Sequence, residues 1–233
     1  RRPPRSTPKP SSAASDVYKR QQLKNWMPKS NDFYTSNRNY DVTGKQTTSK
    51  LSSAISSGIL KESDIIRSLK VHGVSTSNKF LEEVFWRIYF RGYFETHPSI
   101  WQSYKECLSV DKQFKGEDYQ KAIDGNTGIL CFDDWLNDLY KKGYLHNHTR
   151  MWFASIWIFT LKLPWQSGAR FFMKHLLDGD ASSNTLSWRW VAGMHTNNKP
   201  YIATKENIIK YTGNRFRNIP IKKTTKINLI KTN

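Results

Sequence analysis

From Lys79 to Glu95 the chain reads KFLEEVFWRIYFRGYFE. Phe80, Leu81, Val84, Phe85, Ile88 and Tyr89 recur there as one broad apolar stripe, with Glu82, Arg87 and Arg91 largely outside it. The spacing predicts an amphipathic helix with those six side chains toward a core. A second series, Phe132, Trp135, Leu136, Leu139 and Tyr140, runs i, i+3, i+4, i+7, i+8 and stops at Gly143, a residue suited to a helix C-cap. From about Thr149 to Leu163 the chain is apolar on every side, which predicts a central helix that Pro164 ends. Trp165 to Leu177 predicts the next helix, closed by Gly179. No stretch alternates with the period of a strand, and none repeats at intervals of about 20 to 50 residues. The fold class expected is all-α.

The two ends lack this periodicity. Residues 1–35 are rich in Pro, Ser, Arg and Asn and read as a disordered or extended basic leader. Within them SAASDVYKRQ reads as extraneous sequence and is set aside from the fold. Residues 219–233 hold four lysines and alternate weakly, which suggests a basic tail. Residues 36–218 are left as one helical domain, enough for one core in a chain of 233 residues.

Charge narrows the partners. Lys and Arg number 37 against 19 Asp and Glu, a formal net charge of +18 that favours a polyanion. Nucleic acid and an acidic membrane face satisfy that charge equally well. The most apolar run, Met151 to Leu161, is about half the roughly 20 residues needed to span a bilayer, and Arg150 and Lys162 close it. No apolar signal-peptide core is visible. Cys107 and Cys131 are the only cysteines, too few for a disulfide framework or a Cys-rich metal site. A monomer in a reducing, cytoplasmic compartment, with no membrane and no metal, is expected.

Three segments carry candidate chemistry. Asp178 to Trp190 reads DGDASSNTLSWRW: two carboxylates bracket a glycine, an amide follows at Asn184, and Trp188 and Trp190 close the run. Spacing alone is satisfied by a turn, a cap and core tryptophans, although the Arg between the two tryptophans fits a plain core less easily. In GYLHNHTRMW, His146 and His148 stand two apart and point to different sides of a helix, which favours structural histidines over a metal pair. Arg150 opens an otherwise apolar helix and needs a carboxylate, for which Asp178 is the candidate. Thr47-Thr-Ser-Lys-Leu-Ser-Ser offers hydroxyls and backbone N–H groups that suit phosphate, or an ordinary N-cap.

Taken in order, TTSKLSS, FLEEVFWRIYF, GNTGILCFDDWLNDLYKKGYLHNHTRMWFAS and FFMKHLLDGDASSNTLSWRWVAG resemble the FAD-binding catalytic domain of the DNA photolyases and cryptochromes, from about Asn37 to Phe216. The resemblance implies FAD as cofactor. Thr48, Ser49, Leu51 and Ser52 match the loop that holds its diphosphate, and Arg87 a residue at the cofactor. Asn147 and Arg150, the latter paired with Asp178, match flavin-pocket residues. Asp180 matches the carboxylate at the flavin edge and Asn184 the side chain near flavin N5, where the protein tunes the cofactor's redox state. Glu83, Trp86, Met151 and Trp190 match the walls of the pocket for a flipped-out pyrimidine dimer. Trp188 and Trp165 match the first two members of the family's tryptophan electron-transfer chain.

The sequence also departs from the family's pattern. The α/β domain that carries an antenna pigment in the family has no counterpart here, so flavin is the expected chromophore. Lys112 stands where the third tryptophan of the chain is expected, with Trp152 or Trp157 as possible substitutes. The phosphate loop reads LSSA without the usual proline, and His148 replaces a common Arg. The function implied is a lyase: light-dependent repair of pyrimidine dimers in ultraviolet-damaged DNA, single- or double-stranded, by an electron from photoexcited reduced FAD. The rival expectation is a cryptochrome-like blue-light sensor without repair.

Overall fold

The computed structural model describes residues 12–75, 77–110, 116–195 and 199–221. Twelve α-helices follow one another with no strand among the described residues, as the sequence predicts. They are α1 (Ser12–Trp26), α2 (Asp32–Asn37), α3 (Ser52–Ser56), α4 (Glu62–Val71), α5 (Lys79–Thr96), α6 (Pro98–Val110), α7 (Glu117–Asp124), α8 (Leu130–Lys142), α9 (Asn147–Ser155), α10 (Trp165–His175), α11 (Ala181–Val191) and α12 (Lys205–Tyr211).

Two apolar clusters organise them. The larger gathers Phe132, Trp135, Leu136 and Leu139 of α8, Trp152 and Phe153 of α9, Trp157 of the turn after α9, Phe171 and Phe172 of α10, and Trp188 of α11. Trp157 is its hub, with ring centroids of Phe153, Phe171 and Trp188 at 6.0, 5.8 and 6.3 Å. Each such side chain contributes roughly 1.5–3 kcal/mol on burial, so this cluster dominates the apolar energy of the fold. α9 does not stop cleanly: a π-turn over Ile156–Thr160, closed by Leu161 N–H donating to the Ile156 carbonyl, carries the chain to Lys162 in the left-handed region. The indole N–H of Trp157 then donates to the Pro164 carbonyl and to Ser167 Oγ, both at 3.1 Å, fixing the start of α10.

The second cluster corrects the reading of the leader. Leu23, Trp26, Met27 and Tyr34, all within residues 1–35, pack with Leu51, Leu60, Ile65, Leu69, Phe80, Leu81 and Val84. Trp26 and Tyr34 meet the Phe80 ring at 6.1 and 5.3 Å. Asn78 clamps the junction, capping α5 through Phe80 N–H and Leu81 N–H while its amide donates to the Ser30 carbonyl. Periodicity missed this segment because each short helix offers one or two large side chains rather than a stripe. The SAASDVYKRQ stretch is helical, yet Val17 and Tyr18 are exposed and burial begins at Leu23. Residues 1–11 lie outside the described residues.

Two other expectations change. On α5 only Phe80, Leu81 and Val84 are buried, whereas Phe85, Ile88 and Tyr89 are 48%, 43% and 50% exposed, so the core takes a narrower face than the stripe suggested. At the far end Ile219 is buried in the larger cluster and Ile221 packs against it, so the domain continues past residue 218. The rest of the proposed tail, residues 222–233, lies outside the described residues.

Glycine marks two points where helices close on one another. Gly143 is left-handed, as a C-cap requires, with its N–H donating to Leu139, and a Cβ there would meet Leu177 at 2.6 Å. Gly179, expected to close α10, has no left-handed φ; α10 ends at His175, and the Leu177 N–H donates to the Gly143 carbonyl instead. At Gly168 the indole of Trp188 rests on the bare backbone, and a Cβ would lie 2.2 Å from its Cη2. Gly168→Ala should therefore cost about 1–3 kcal/mol by overpacking and lower the melting temperature by roughly 2–4 °C per kcal/mol. Gly92→Ala, on a helix where nothing lies within 4 Å, should hold or raise it. Thermal melts of the two variants check both signs.

Candidate functional site

The sequence motifs converge on the boundary between the two clusters. Arg87 reaches across from α5: its Nε donates to Glu62 at 3.1 Å, and its Nη2 donates to Ser56 Oγ at 3.1 Å and lies 3.5 Å from Asp180. Ser56 Oγ in turn donates to the Asp178 carbonyl at 2.9 Å. The Asp178 carboxylate accepts from Arg150 Nη2 at 2.8 Å, the pairing that Arg150 called for, and Arg150 Nε donates to the Leu145 carbonyl. The Arg150 guanidinium lies 5.4 Å over the Tyr144 ring, whose hydroxyl is 3.2 Å from Thr48 Oγ1. One polar network thus joins the 47–56 segment with α3, α5, the start of α9 and the start of α11.

Asp180 is the N-cap of α11, where its Oδ1 accepts from Ser183 N–H at 2.8 Å and Ser182 Oγ at 2.6 Å. Burial pushes this carboxyl up, but those hydrogen bonds and the Arg87 guanidinium outweigh it and hold it below the ordinary carboxylate range. It is an anion fixed at a helix start. One turn on, Asn184 donates to the Ala169 carbonyl at 2.8 Å, which orients its amide against α10.

Glu83 and Trp86 stand one turn apart on α5, as the sequence reading required. Glu83 accepts from Arg38 at 2.5 Å; burial pushes its carboxyl up, and Arg38 opposes that rise. Trp86 is 52% exposed, its ring edge-on to Tyr89 at 5.6 Å. Trp190 stacks on Tyr201 at 5.5 Å, and Met151 is partly buried. Asn147 is exposed at the first turn of α9, with no side-chain hydrogen bond among the described residues, so the structure does not draw it into the network. Leu51 is buried in the smaller cluster and can offer a ligand only its backbone; Thr48, Ser49 and Ser52 flank it, partly exposed.

Trp188 is buried against Gly168, one turn along α10 from Trp165. Trp165 stacks on Tyr104 at 5.6 Å, and Tyr104 meets the half-buried Trp101 at 5.2 Å with the rings tilted by 31°. Trp157 contacts Trp188 directly, whereas Trp152 stacks on Trp135 at 5.6 Å. Lys112 lies outside the described residues.

Ser56, Glu62, Arg38 and Tyr144 were not singled out by the sequence. Glu62 had a weak signal, an acid in the first turn of α4; the others carry none, because their partners are 31 to 122 positions away.

The histidines are structural, as their spacing suggested. His148 Nδ1 lies 2.9 Å from the Asn39 carbonyl. His146 caps α9 by accepting from His148 N–H at Nδ1, so Nε2 carries the ring proton and faces Thr47 Oγ1 at 3.3 Å.

A match to the family described as the FAD binding domain of DNA photolyase covers residues 80–217. The chain belongs to that family. Among curated relatives of this photolyase domain, a deoxyribodipyrimidine photo-lyase of Streptomyces griseus is 29% identical over 163 residues, 69% of this chain and 35% of the relative. One from Escherichia coli K12 is 28% identical over 169 residues, 69% and 36% of the two chains. The chain spans about a third of the length of these relatives. A class III photolyase structure from Agrobacterium tumefaciens superposes with a TM-score of 0.71 at 23% identity, over 89% of this chain and 46% of that one. A Synechocystis cryptochrome gives 0.66 at 23%, over 84% and 43%. At those identities the likeness establishes the fold, over somewhat less than half of each of those chains.

The buried cap at His146 yields a pH prediction. Burial pushes this imidazole down to about 4, and a proton on Nδ1 would also abolish the cap. Because the folded pKa lies below the ordinary value near 6.5, the unfolded chain binds the additional proton and stability falls as pH drops through that window, by on the order of 2–3 kcal/mol. His146→Asn keeps a capping acceptor and cannot titrate. Urea melts at pH 7 and pH 5 should show a smaller acid loss for the variant than for the wild type.

Proposed function

We propose that the chain binds FAD at the boundary between its two clusters and uses it to repair pyrimidine dimers in DNA under light. The observation that carries the reading is the network centred on Arg87 and Asp178, which brings together four segments far apart in sequence. The donor set suits the cofactor. Thr48, Ser49 and Ser52 present hydroxyls for a diphosphate, Arg87 and Arg150 supply charge, and Asp178 Oδ1 and Ser183 Oγ are buried without hydrogen-bond partners among the described residues at the start of α11. Asp180 would accept from the flavin edge and Asn184 would stand near N5, while Asn147 would need to turn inward to take part.

When bound and reduced, FAD supplies the light-excited electron that dimer cleavage needs. The chain's own residues do the rest. Trp86 and Trp190 offer faces on which an extruded, poorly stacked dimer can rest, with Met151 as an apolar neighbour. Glu83, held by Arg38, is placed one turn from Trp86, where its carboxyl can hydrogen-bond the polar edge of a base. Trp165, Tyr104 and Trp101 form a run of rings toward the surface, and Trp188 rests on Gly168 one turn along α10 from Trp165, an arrangement suited to carrying an electron inward. The net charge of +18 supplies the phosphate attraction that positions DNA. No helix among the described residues is long and apolar enough to cross a membrane. The same reading makes the chain a cytoplasmic monomer with flavin as its chromophore.

Purified protein reconstituted with FAD should bind about one flavin per chain, and Asp180→Ala should weaken that binding at least tenfold. Chemically reduced, flavin-loaded protein should remove dimers from damaged DNA under blue or near-ultraviolet light, with Trp86→Ala cutting dimer affinity about tenfold while flavin stays bound. Full flavin binding without any light-dependent loss of dimers would overturn the repair reading in favour of a light sensor. No flavin binding by folded protein would overturn both.

A further inference from the structure

The outward face of α5 is aromatic where a surface helix is ordinarily polar. Phe85, Trp86 and Tyr89 are 48%, 52% and 50% exposed, and Tyr93 continues the same face one turn on. The rings form a ladder: Trp86 to Tyr89 at 5.6 Å, Tyr89 to Tyr93 at 5.9 Å, and Tyr93 stacked on His97 at 4.0 Å. Single exposed aromatics are common, but a contiguous run marks a surface that something covers.

Charge points to what covers it. From Phe85 onward this face carries Phe85, Trp86, Tyr89, Gly92, Tyr93 and Thr96 with no carboxylate; Glu82 before it is bridged to Lys79, and Glu95 lies on the opposite side of the helix. Near the far end of the ladder the Arg189 guanidinium is within charge-interaction range of Tyr93 and His195 and lies 5.9 Å over the Trp165 ring. His195 packs edge-on against Tyr93 at 5.2 Å and Phe90 at 6.1 Å. Arg189 Nε is buried with no hydrogen-bond partner, and Arg189 makes no ion pair among the described residues. A half-buried guanidinium without an anion is costly, and a phosphodiester fits it in charge and in hydrogen-bond geometry.

We propose that the α5 ladder, from Trp86 through Tyr89 and Tyr93 to Arg189, is a platform for single-stranded DNA flanking the base held at Trp86. The proposal rests on the DNA reading above and deepens it by naming the strand state. Unpaired bases expose the faces that stack on rings, whereas a duplex hides them, and successive rungs stand one helical turn, about 5.4 Å, apart. Arg189 closes the platform by gripping a backbone phosphate.

Fluorescence anisotropy with undamaged, labelled oligo(dT) of 12 nucleotides, compared with a duplex of the same length, tests this without flavin or light. The wild type should prefer the single strand. The double variant Tyr89→Ser, Tyr93→Ser should lose about tenfold or more in oligo(dT) affinity, within the range that one or two stacked bases contribute, and change duplex binding less than twofold. Arg189→Gln should lower the log–log salt slope for oligo(dT) by about 0.7, one released counterion, whereas Arg189→Lys should restore it. Melting curves matching the wild type establish that the exposed substitutions leave the fold intact. Unchanged oligo(dT) binding in the double variant, a duplex preference in the wild type, or a wild-type dimer dissolved by the same substitutions would overturn the platform. A dimer-containing oligo(dT) separates the two readings: Trp86→Ala should erase its advantage over undamaged strand. If Trp86→Ala erases the advantage but the ladder substitutions do nothing, only the platform fails; if the ladder substitutions weaken oligo(dT) but repair is absent, only the repair reading fails.

Discussion

A guanidinium that is mostly buried must be surrounded by acceptors, and at Arg87 that requirement sets the geometry of the molecule's centre. Its side chain is 15% exposed and its partners come from three other places in the chain: Glu62 at the start of α4, Ser56 at the end of α3 and Asp180 at the head of α11. Removing any one leaves charge or hydroxyl unpaired at low dielectric, which costs more than the bond itself contributes. The helices are therefore held to one arrangement by an electrostatic demand, and the apolar clusters on either side fill the space that arrangement leaves. Asp178 makes the same demand from the other flank, meeting Arg150 with its carboxylate and Ser56 with its carbonyl.

Ser56 is the least conspicuous member of this arrangement and sits at its middle. Its hydroxyl accepts from Arg87 and donates to the Asp178 carbonyl, so both capacities of one small group are used. A hydroxyl can relay orientation in this way where a larger side chain would push α3 away from α11.

The parts of this structure that were legible in the sequence are those where one residue's chemistry constrains its own neighbourhood. A lone charge opening an apolar helix at Arg150 demanded a carboxylate, and Gly143 after a periodic series demanded a left-handed cap. What stayed hidden depends on what is brought against a residue from elsewhere. Phe85, Ile88 and Tyr89 have the right residue types at the right spacing, yet periodicity only says which residues share a face; it does not say whether a partner arrives to cover it. Leu23, Trp26 and Tyr34 show the converse, since an aperiodic, polar-looking segment is pinned by three large side chains that join the cluster around Phe80. Ser56 and Arg38 carry no local signal at all, because their partners are set by topology.

The division into two apolar clusters bears on how the molecule moves. Within each cluster the rings are interlocked and resist shear, as Trp157 and Trp26 do among their neighbours. Between them, besides the packing of α5 along α11 and of Phe94 against Trp101 of α6, the boundary is bridged by ions and hydroxyls, whose bonds stretch and exchange with water far more readily than a packed core deforms. The domain is thus built as two packed blocks with a softer, polar seam between them. Access to the seam then needs no unfolding of either block, and anything bound there would couple the blocks and stiffen the whole.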